Sequence, residues 1–294
     1  MDSIQEAIRD HLTERGEPTM YLALHTAALV KLKTDHALIS HDLPMDEVIR
    51  NAGNAIQGAL LGDDKLVHYG GGESVDTGLW GLSSEMESAE PLSDRVEMAV
   101  VKFLIEHPNC TFDAILRDLS TQFPGLLTPS PGLVRAVLDS YAEQNRDQWR
   151  LGREDFPAAR KTELTQMAGL IRSIGERLDY GTNPIDDRTL VWEAGEMSEY
   201  VFYLKASAIL DRTLLESRYP RERSLVVMPE ARVALLEYKL KRDPALAARL
   251  GGLGAMNFQT VRRLATLPVL DRAAFETQIQ GDSAQEKQGQ LRLL

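Results

Sequence analysis

The feature that most constrains this chain is a duplication near its amino terminus. Ile4 to Leu24 (IQEAIRDHLTERGEPTMYLAL) lies over Val96 to Leu116 (VEMAVVKFLIEHPNCTFDAIL) without a gap, at an offset of 92 residues. Ala7 pairs with Ala99, Leu12 with Leu104, Glu14 with Glu106 and Thr19 with Thr111, while Ile8 and Leu24 meet Val100 and Leu116. Apolar residues recur at helical spacing in both copies. Each first helix stops at a breaker, Gly16 in one and Pro108 in the other. Thr19 and Thr111 then stand where a hydroxyl could accept the free N–H groups that open a second helix.

The rest of each copy keeps one order of elements. In the first, Met45 to Leu61 fits a third helix, Lys65 to Tyr69 a strand, Gly70 to Thr77 (GGGESVDT) a flexible tip, and Gly78 to Leu82 the returning strand. In the second, Pro131 to Gln144 fits the third helix, with Ser130 as its cap, and Gln148 to Leu151 the strand. Trp149 takes the place of Trp80 at a spacing shortened to 69 by the smaller tip. Three helices followed by a hairpin is the winged-helix order, so tandem winged helices are expected over residues 1–92 and 93–153.

After Gly152 the pattern changes. Asp155 to Tyr180 reads as a long connecting helix (154–180), with Leu164, Met167, Ile171, Ile174 and Leu178 forming a two-heptad seam. That seam could join two copies or pack on the chain's own neighbouring elements. Gly181 to Pro184 (GTNP) breaks the helix and is expected to mark a boundary. Thr189 to Trp192, Tyr200 to Leu210 and Ser224 to Val227 then read as strands. Glu230 to Arg242, Pro244 to Leu250 and Asp271 to Gln280 read as helices. The expected fold class is α+β, mainly helical, ending in a small mixed α/β domain (181–294) with a polar tail in which Leu291, Leu293 and Leu294 could find a partner.

Charge decides which partners are reasonable. Over 294 residues the net charge is −11, yet residues 1–92 alone hold 6 basic and 16 acidic side chains, a net −10. Between Lys205 and Arg263 twelve basic residues face six acids. A polyanion would therefore meet that stretch or the second copy. The candidate DNA-binding residues are Arg135, Arg146, Arg150, Arg153, Arg218, Arg221, Arg223, Lys239, Lys241, Arg242, Arg262 and Arg263. The first copy offers Asp46, Glu47, Arg50, Asn51, Asn54 and Gln57 on its third helix, with Glu73 and Asp76 in its wing, and suits a protein contact better. No apolar run is long enough to span a bilayer, and Met1 to Asp10 is acidic where a secretory leader is basic and then apolar. The expected location is cytoplasmic.

Catalytic chemistry finds little footing. Glu237-x-Lys239, with Asp211 upstream, has the spacing of restriction-type nucleases, in which a carboxylate holds Mg²⁺ and the lysine polarises water. There the pair lies on a strand, whereas Val233, Leu236 and Leu240 place it here on a helix with an exposed charged face. Histidines 11, 25, 36, 41, 68 and 107 form no ligand pair with an acidic partner at helical spacing. Gly251 to Gly254 (GGLG) lacks the Lys-Ser or Lys-Thr of a phosphate loop, and the single cysteine, Cys110, excludes a cysteine zinc cluster. No metal site, cofactor or catalytic residue is expected.

Four stretches together carry a resemblance: Arg15-Gly16-Glu17-Pro18 after the first helix; Gly78-Leu79-Trp80-Gly81-Leu82 at the wing; Asp147-Gln148-Trp149-Arg150-Leu151; and Leu225-Val226-Val227-Met228-Pro229 before a helix ending Lys239-Leu240-Lys241-Arg242. This arrangement resembles the region downstream of the catalytic domain in large bacterial DNA methyltransferases of restriction-modification or phage-defence systems. Those enzymes carry an Asn/Asp-Pro-Pro-Tyr motor. Asn183-Pro184-Ile185-Asp186 departs from it at both later positions, and no glycine-rich S-adenosylmethionine loop precedes it. The resemblance thus implies an accessory, noncatalytic role, with double-stranded DNA or a protein such as a DNA methyltransferase or ATPase as partner. A protein-interaction scaffold without DNA binding, a homodimer and a divergent Mg-dependent nuclease stand as alternatives.

Overall fold

The computed structural model describes residues 2–34, 44–72, 74–83, 86, 88–210 and 217–279. The chain is α+β, helices dominating and strands gathering in three small sheets. It divides into two compact units. One holds residues 1–100, 113–134 and 241–245, the other 101–112, 135–240 and 246–294.

The first unit opens with α1 (Asp2–Arg15), β1 (Thr19–Met20), α2 (Tyr21–Thr34), α3 (Met45–Leu61), β2 (Leu66–Tyr69) and β3 (Leu79–Leu82). The strands pair antiparallel in the order β1-β3-β2, so the last strand lies in the middle. Ile4, Ile8 and Leu12 of α1, Leu24, Ala28 and Leu32 of α2, and Ala52, Ile56, Ala59 and Leu60 of α3 recur every three or four residues and meet Trp80 in one core. Described residues of the expected flexible tip are instead tied down. Thr77 Oγ1 donates to the carbonyls of Gly71 (2.8 Å) and Ser74 (3.1 Å), and Val75 folds into the core. The left-handed backbone at Gly70, Gly72 and Gly78 permits this path.

The order then repeats: α4 (Leu92–Glu106), β4 (Cys110–Thr111), α5 (Phe112–Gln122), α6 (Pro131–Tyr141), β5 (Ala142–Asn145) and β6 (Gln148–Leu151), with sheet order β4-β6-β5. The register corrects the sequence alignment. Thr19 pairs with Trp80, but Cys110, not Thr111, pairs with Trp149. After the helix break the equivalent offset is therefore 91, and the fully buried positions agree, Leu24 with Ile115 and Ala28 with Leu119. The cause is a first helix that ends one residue earlier in the second copy. Thr19 accordingly belongs to β1, two residues ahead of α2, rather than capping that helix.

The second unit continues with α7 (Pro157–Arg177), β7 (Gly181–Asp186), β8 (Thr189–Ala194), β9 (Met197–Leu204), β10 (Ser224–Met228), α8 (Glu230–Leu240), α9 (Pro244–Arg249), β11 (Gly254–Asn257), α10 (Phe258–Thr266) and α11 over 272–279. The five strands run in the order β11-β10-β9-β8-β7, β7 to β9 as an antiparallel meander and β9 to β11 in parallel. The helix ends at Arg177, ahead of the GTNP segment, with Asp179 in the left-handed region, and GTNP opens β7 inside the second unit rather than marking a boundary. Pro184 is tolerated because β7 is an edge strand with an irregularity beside that residue. Trp192, Tyr200, Phe202, Leu225 and Val227 pack one sheet face against Leu164, Met167, Ile171, Ile174 and Leu178 of α7 and against Val261, Leu264 and Phe275. Their neighbours Val191, Val201, Tyr203, Val226 and Met228 are equally buried, so both faces are covered. The heptad seam of α7 is thus consumed internally and is not available to join two copies.

Candidate nucleic-acid interface

The second copy builds its exposed elements from α6 and the β5–β6 hairpin. Ser130 Oγ accepts from Leu133 N–H at 3.3 Å, and Pro131 starts the helix where its missing N–H is harmless. Val134, Val137 and Leu138 face inward, leaving Arg135 and Asp139 outward, 3.6 Å apart as an ion pair. The Arg135 guanidinium stands 4.9 Å over the ring of Trp149. Arg150 on β6 reaches across to Glu143 on β5 at 2.6 Å. At the turn between the strands, Arg146 sits in the left-handed region at φ 58°, exposed, its carbonyl accepting from Gln144 Nε2 at 2.9 Å.

The other predicted cations divide by environment. Arg153 is exposed in the short turn after β6. Arg218 is exposed and lies 5.3 Å over Tyr219. Arg223 lies 3.7 Å from Glu199 and 5.4 Å over Tyr200. Burial and the neighbouring Glu276 push the Tyr200 phenol up to about 12, so it stays a neutral donor to Glu276 Oε1 at 3.2 Å. Arg262 pairs with Glu163. Arg221 is half-buried, whereas Lys241, Arg242 and Arg263 are exposed. Arg221, Arg242 and Arg263 each have an interaction partner.

Lys239 is a correction. It is 2% exposed and donates to the Ala208 carbonyl at 3.3 Å, so it cannot reach a phosphate. Arg232 on the same helix is 0% exposed. It pairs with Asp155, donates to the carbonyl and hydroxyl of Ser140 and to the Ala206 carbonyl at 3.1 Å, and lies 3.2 Å over the Tyr141 ring. Asp155 also accepts from Arg160 at 2.8 Å, and Arg160 in turn meets Glu163. Burial raises the Asp155 carboxyl above its usual range, with Arg232 and Arg160 opposing that shift. Sequence reasoning treated this helix as buried along Val233, Leu236 and Leu240. The observed stripe is Arg232, Leu235, Leu236 and Lys239. A basic residue in phase with leucines at both ends of the helix was the signal available.

The first copy differs. Asp46, Glu47, Arg50, Asn51, Asn54 and Gln57 are all exposed on α3. The motif residues turn out to be joints. Gly16 takes φ 73° where a side chain would strike Ala89 and Glu90, and Glu17 caps α4 by accepting from Ser93 N–H at 3.0 Å while holding Arg15 at 3.0 Å. Gly81 leaves room for Pro18 and Tyr69. Glu73, Asp211, His36, His41 and the tail from residue 280 lie outside the described residues.

Glu237 and Lys239 stand on α8 and not on a strand, which removes the geometry of the nuclease reading. Among the described residues no group of three or more His, Cys, Asp or Glu is placed to hold a metal ion. Nor, among them, is any helix long and apolar enough to cross a membrane. Comparison with family models, curated proteins and solved structures finds no match.

Proposed function

We propose that the two amino-terminal copies are winged helices and that the protein is a noncatalytic accessory subunit of a bacterial DNA-modification or defence complex. In this reading the second copy touches double-stranded DNA, and a DNA methyltransferase or ATPase is the protein partner. Support for the fold reading is the recurrence, in both copies, of helix, short strand, two helices and a hairpin, with the last strand central in the sheet. Arg146 carries the DNA reading. A glycine would hold its left-handed turn position with less strain, yet the chain keeps an exposed arginine there, and no described group pairs with its guanidinium. A cation projecting from a hairpin tip is what a wing offers to a phosphate or to the minor groove.

Replacing Arg146 with glycine separates the two roles of this position. Arg146→Gly is expected to stabilise the fold by about 0.5–1 kcal/mol while weakening DNA binding at least about tenfold. Mobility shift at graded salt supplies the second measure. If all twelve predicted cations met phosphates, log affinity would fall against log salt with a slope near about −11. Arg146, Arg153 and Arg218 are exposed and show no ion pair among the described residues, and contacts from these three alone predict a slope of about −3. No shift at low salt would reject the DNA reading in favour of a protein-interaction scaffold. The acidic, exposed α3 of the first copy and the burial of Val75 from its wing favour that second reading.

A further inference from the structure

Helix α2 (YLALHTAALVKLKT) carries two apolar stripes on opposite sides. Leu24, Ala28 and Leu32 face the core of the first unit. Two residues out of phase, Leu22 and Val30 face outward at 71% and 59% exposed, with the half-buried Thr26 between them. Met20, just ahead of the helix, is 65% exposed. Thr26 Oγ1 donates to the Leu22 carbonyl at 2.8 Å, so its polar atom is used within the helix and its methyl group completes the stripe. A helix apolar on both sides normally lies between two layers. The first unit supplies one of them.

Two further observations identify the second layer. The stripe is symmetric about Thr26, with a large apolar residue four positions to either side, so it is complementary to itself when reversed. Charge agrees. Residues 1–92 carry a net −10, which opposes the approach of two copies almost everywhere, yet α2 contains no acid and ends in Lys31 and Lys33. Among α1, α2 and α3 it is the helix without an acidic residue, so two copies meeting there bring no carboxylates of the contact helices together, while the exposed Lys33 can reach the partner's acid-rich remainder. We propose that α2 is the isologous contact of a homodimer, its helices packed antiparallel about a dyad at Thr26, with Leu22 of each copy against Val30 of the other.

Sedimentation across a range of protein concentrations tests this directly. The full chain should pass from monomer to dimer, and Leu22→Glu or Val30→Glu should each raise the dissociation constant at least about tenfold, without loss of helical signal, because both positions are exposed. A monomer at every concentration overturns the proposal, as does a dimer indifferent to both substitutions. Thr26→Cys in a Cys110→Ser background checks the dyad. Added oxidant should join two copies through position 26 and leave a Val269→Cys control unjoined. A dimer that fails to cross-link at position 26, or that links equally well through position 269, contradicts the antiparallel arrangement.

Discussion

Trp80 and Trp149 occupy one register position in two sheets, each on the central strand, each 3% exposed, and they are covered in different ways. Trp80 is met by His68 of β2 and by Val75 of the connection that follows. His68 stacks on the ring at 4.3 Å, and the Val75 carbonyl accepts from the indole N–H at 2.9 Å. Over Trp149 stands the guanidinium of Arg135, and the indole N–H has no hydrogen-bond partner among the described residues. The first tryptophan is held by a ring and a backbone carbonyl, and the second is met by a cation. In the first copy, Val75 of the β2–β3 connection joins the core. The second leaves a short hairpin whose tip is free for contact. The two sheets share the packing position of the tryptophan and differ in what lies beside it.

The comparison breaks hardest at Arg232, which has no counterpart in the first unit. It joins the carboxy end of α6 to Asp155 and to the loop after β9. Arg232→Met leaves the buried Asp155 with Arg160 alone and strips the Ser140 carbonyl of its donor, so a loss of about 3 kcal/mol is expected. Hydrogen exchange locates that loss. Protection should fall in β5 and β6 and persist in β2 and β3. Equal loss in both sheets would mean that the units unfold as one and that the contrast has no thermodynamic content.

A smaller effect separates the tryptophans themselves. Trp80→Phe removes the donor from the Val75 carbonyl and shrinks the ring stacked beneath His68, for about 2–3 kcal/mol. Trp149→Phe leaves the same kind of cavity and loses part of its attraction to Arg135, but gives up no hydrogen bond among the described residues, for about 1–2 kcal/mol. Urea midpoints of the two variants rank them, and the reverse order would show that Arg135 matters more than the contacts of His68 and Val75.

Much of this architecture is legible in the residues because it follows from period and punctuation. The first three helices of each copy, the central strands and the seam of α7 all bury stripes that the sequence displays. The two-residue strands β1 and β4 are not legible, since Thr19-Met20 and Cys110-Thr111 are too short to show any alternation. The one-residue slip between copies is hidden for the same reason, because only the register with Trp149 reveals it. Charge misleads most. Arg232 and Lys239 count as surface bases in any tally, and only their phase with Leu235 and Leu236 betrays that they point inward. Arg146 is legible as a cation but not as a strained one, since its backbone angle depends on where the hairpin turns.

The finest contrast between the copies is a matter of protons. His11 lies on the buried side of α1, where burial and the nearby Arg15 hold its imidazole below the usual value of 6.5. The offset of 92 that holds within the first helices puts Phe103 at the matching place in the second copy, where nothing titrates. In the folded first unit His11 therefore stays neutral at pH values at which the unfolded chain takes up a proton. Below about 6.5 the unfolded state binds more protons than the native one, so stability is complete above that pH and declines as the pH falls toward the lowered native value. Acidification from pH 7 to 5 should then weaken protection in β2 and β3 before β5 and β6. His11→Phe should remove that dependence while leaving stability at pH 7 nearly unchanged, because a ring of similar size stands at the equivalent site of the second copy. If the variant keeps the wild-type pH profile, the proton is taken up elsewhere, and the acid sensitivity of the first unit would have to be sought among its carboxylates, sixteen of them in residues 1–92.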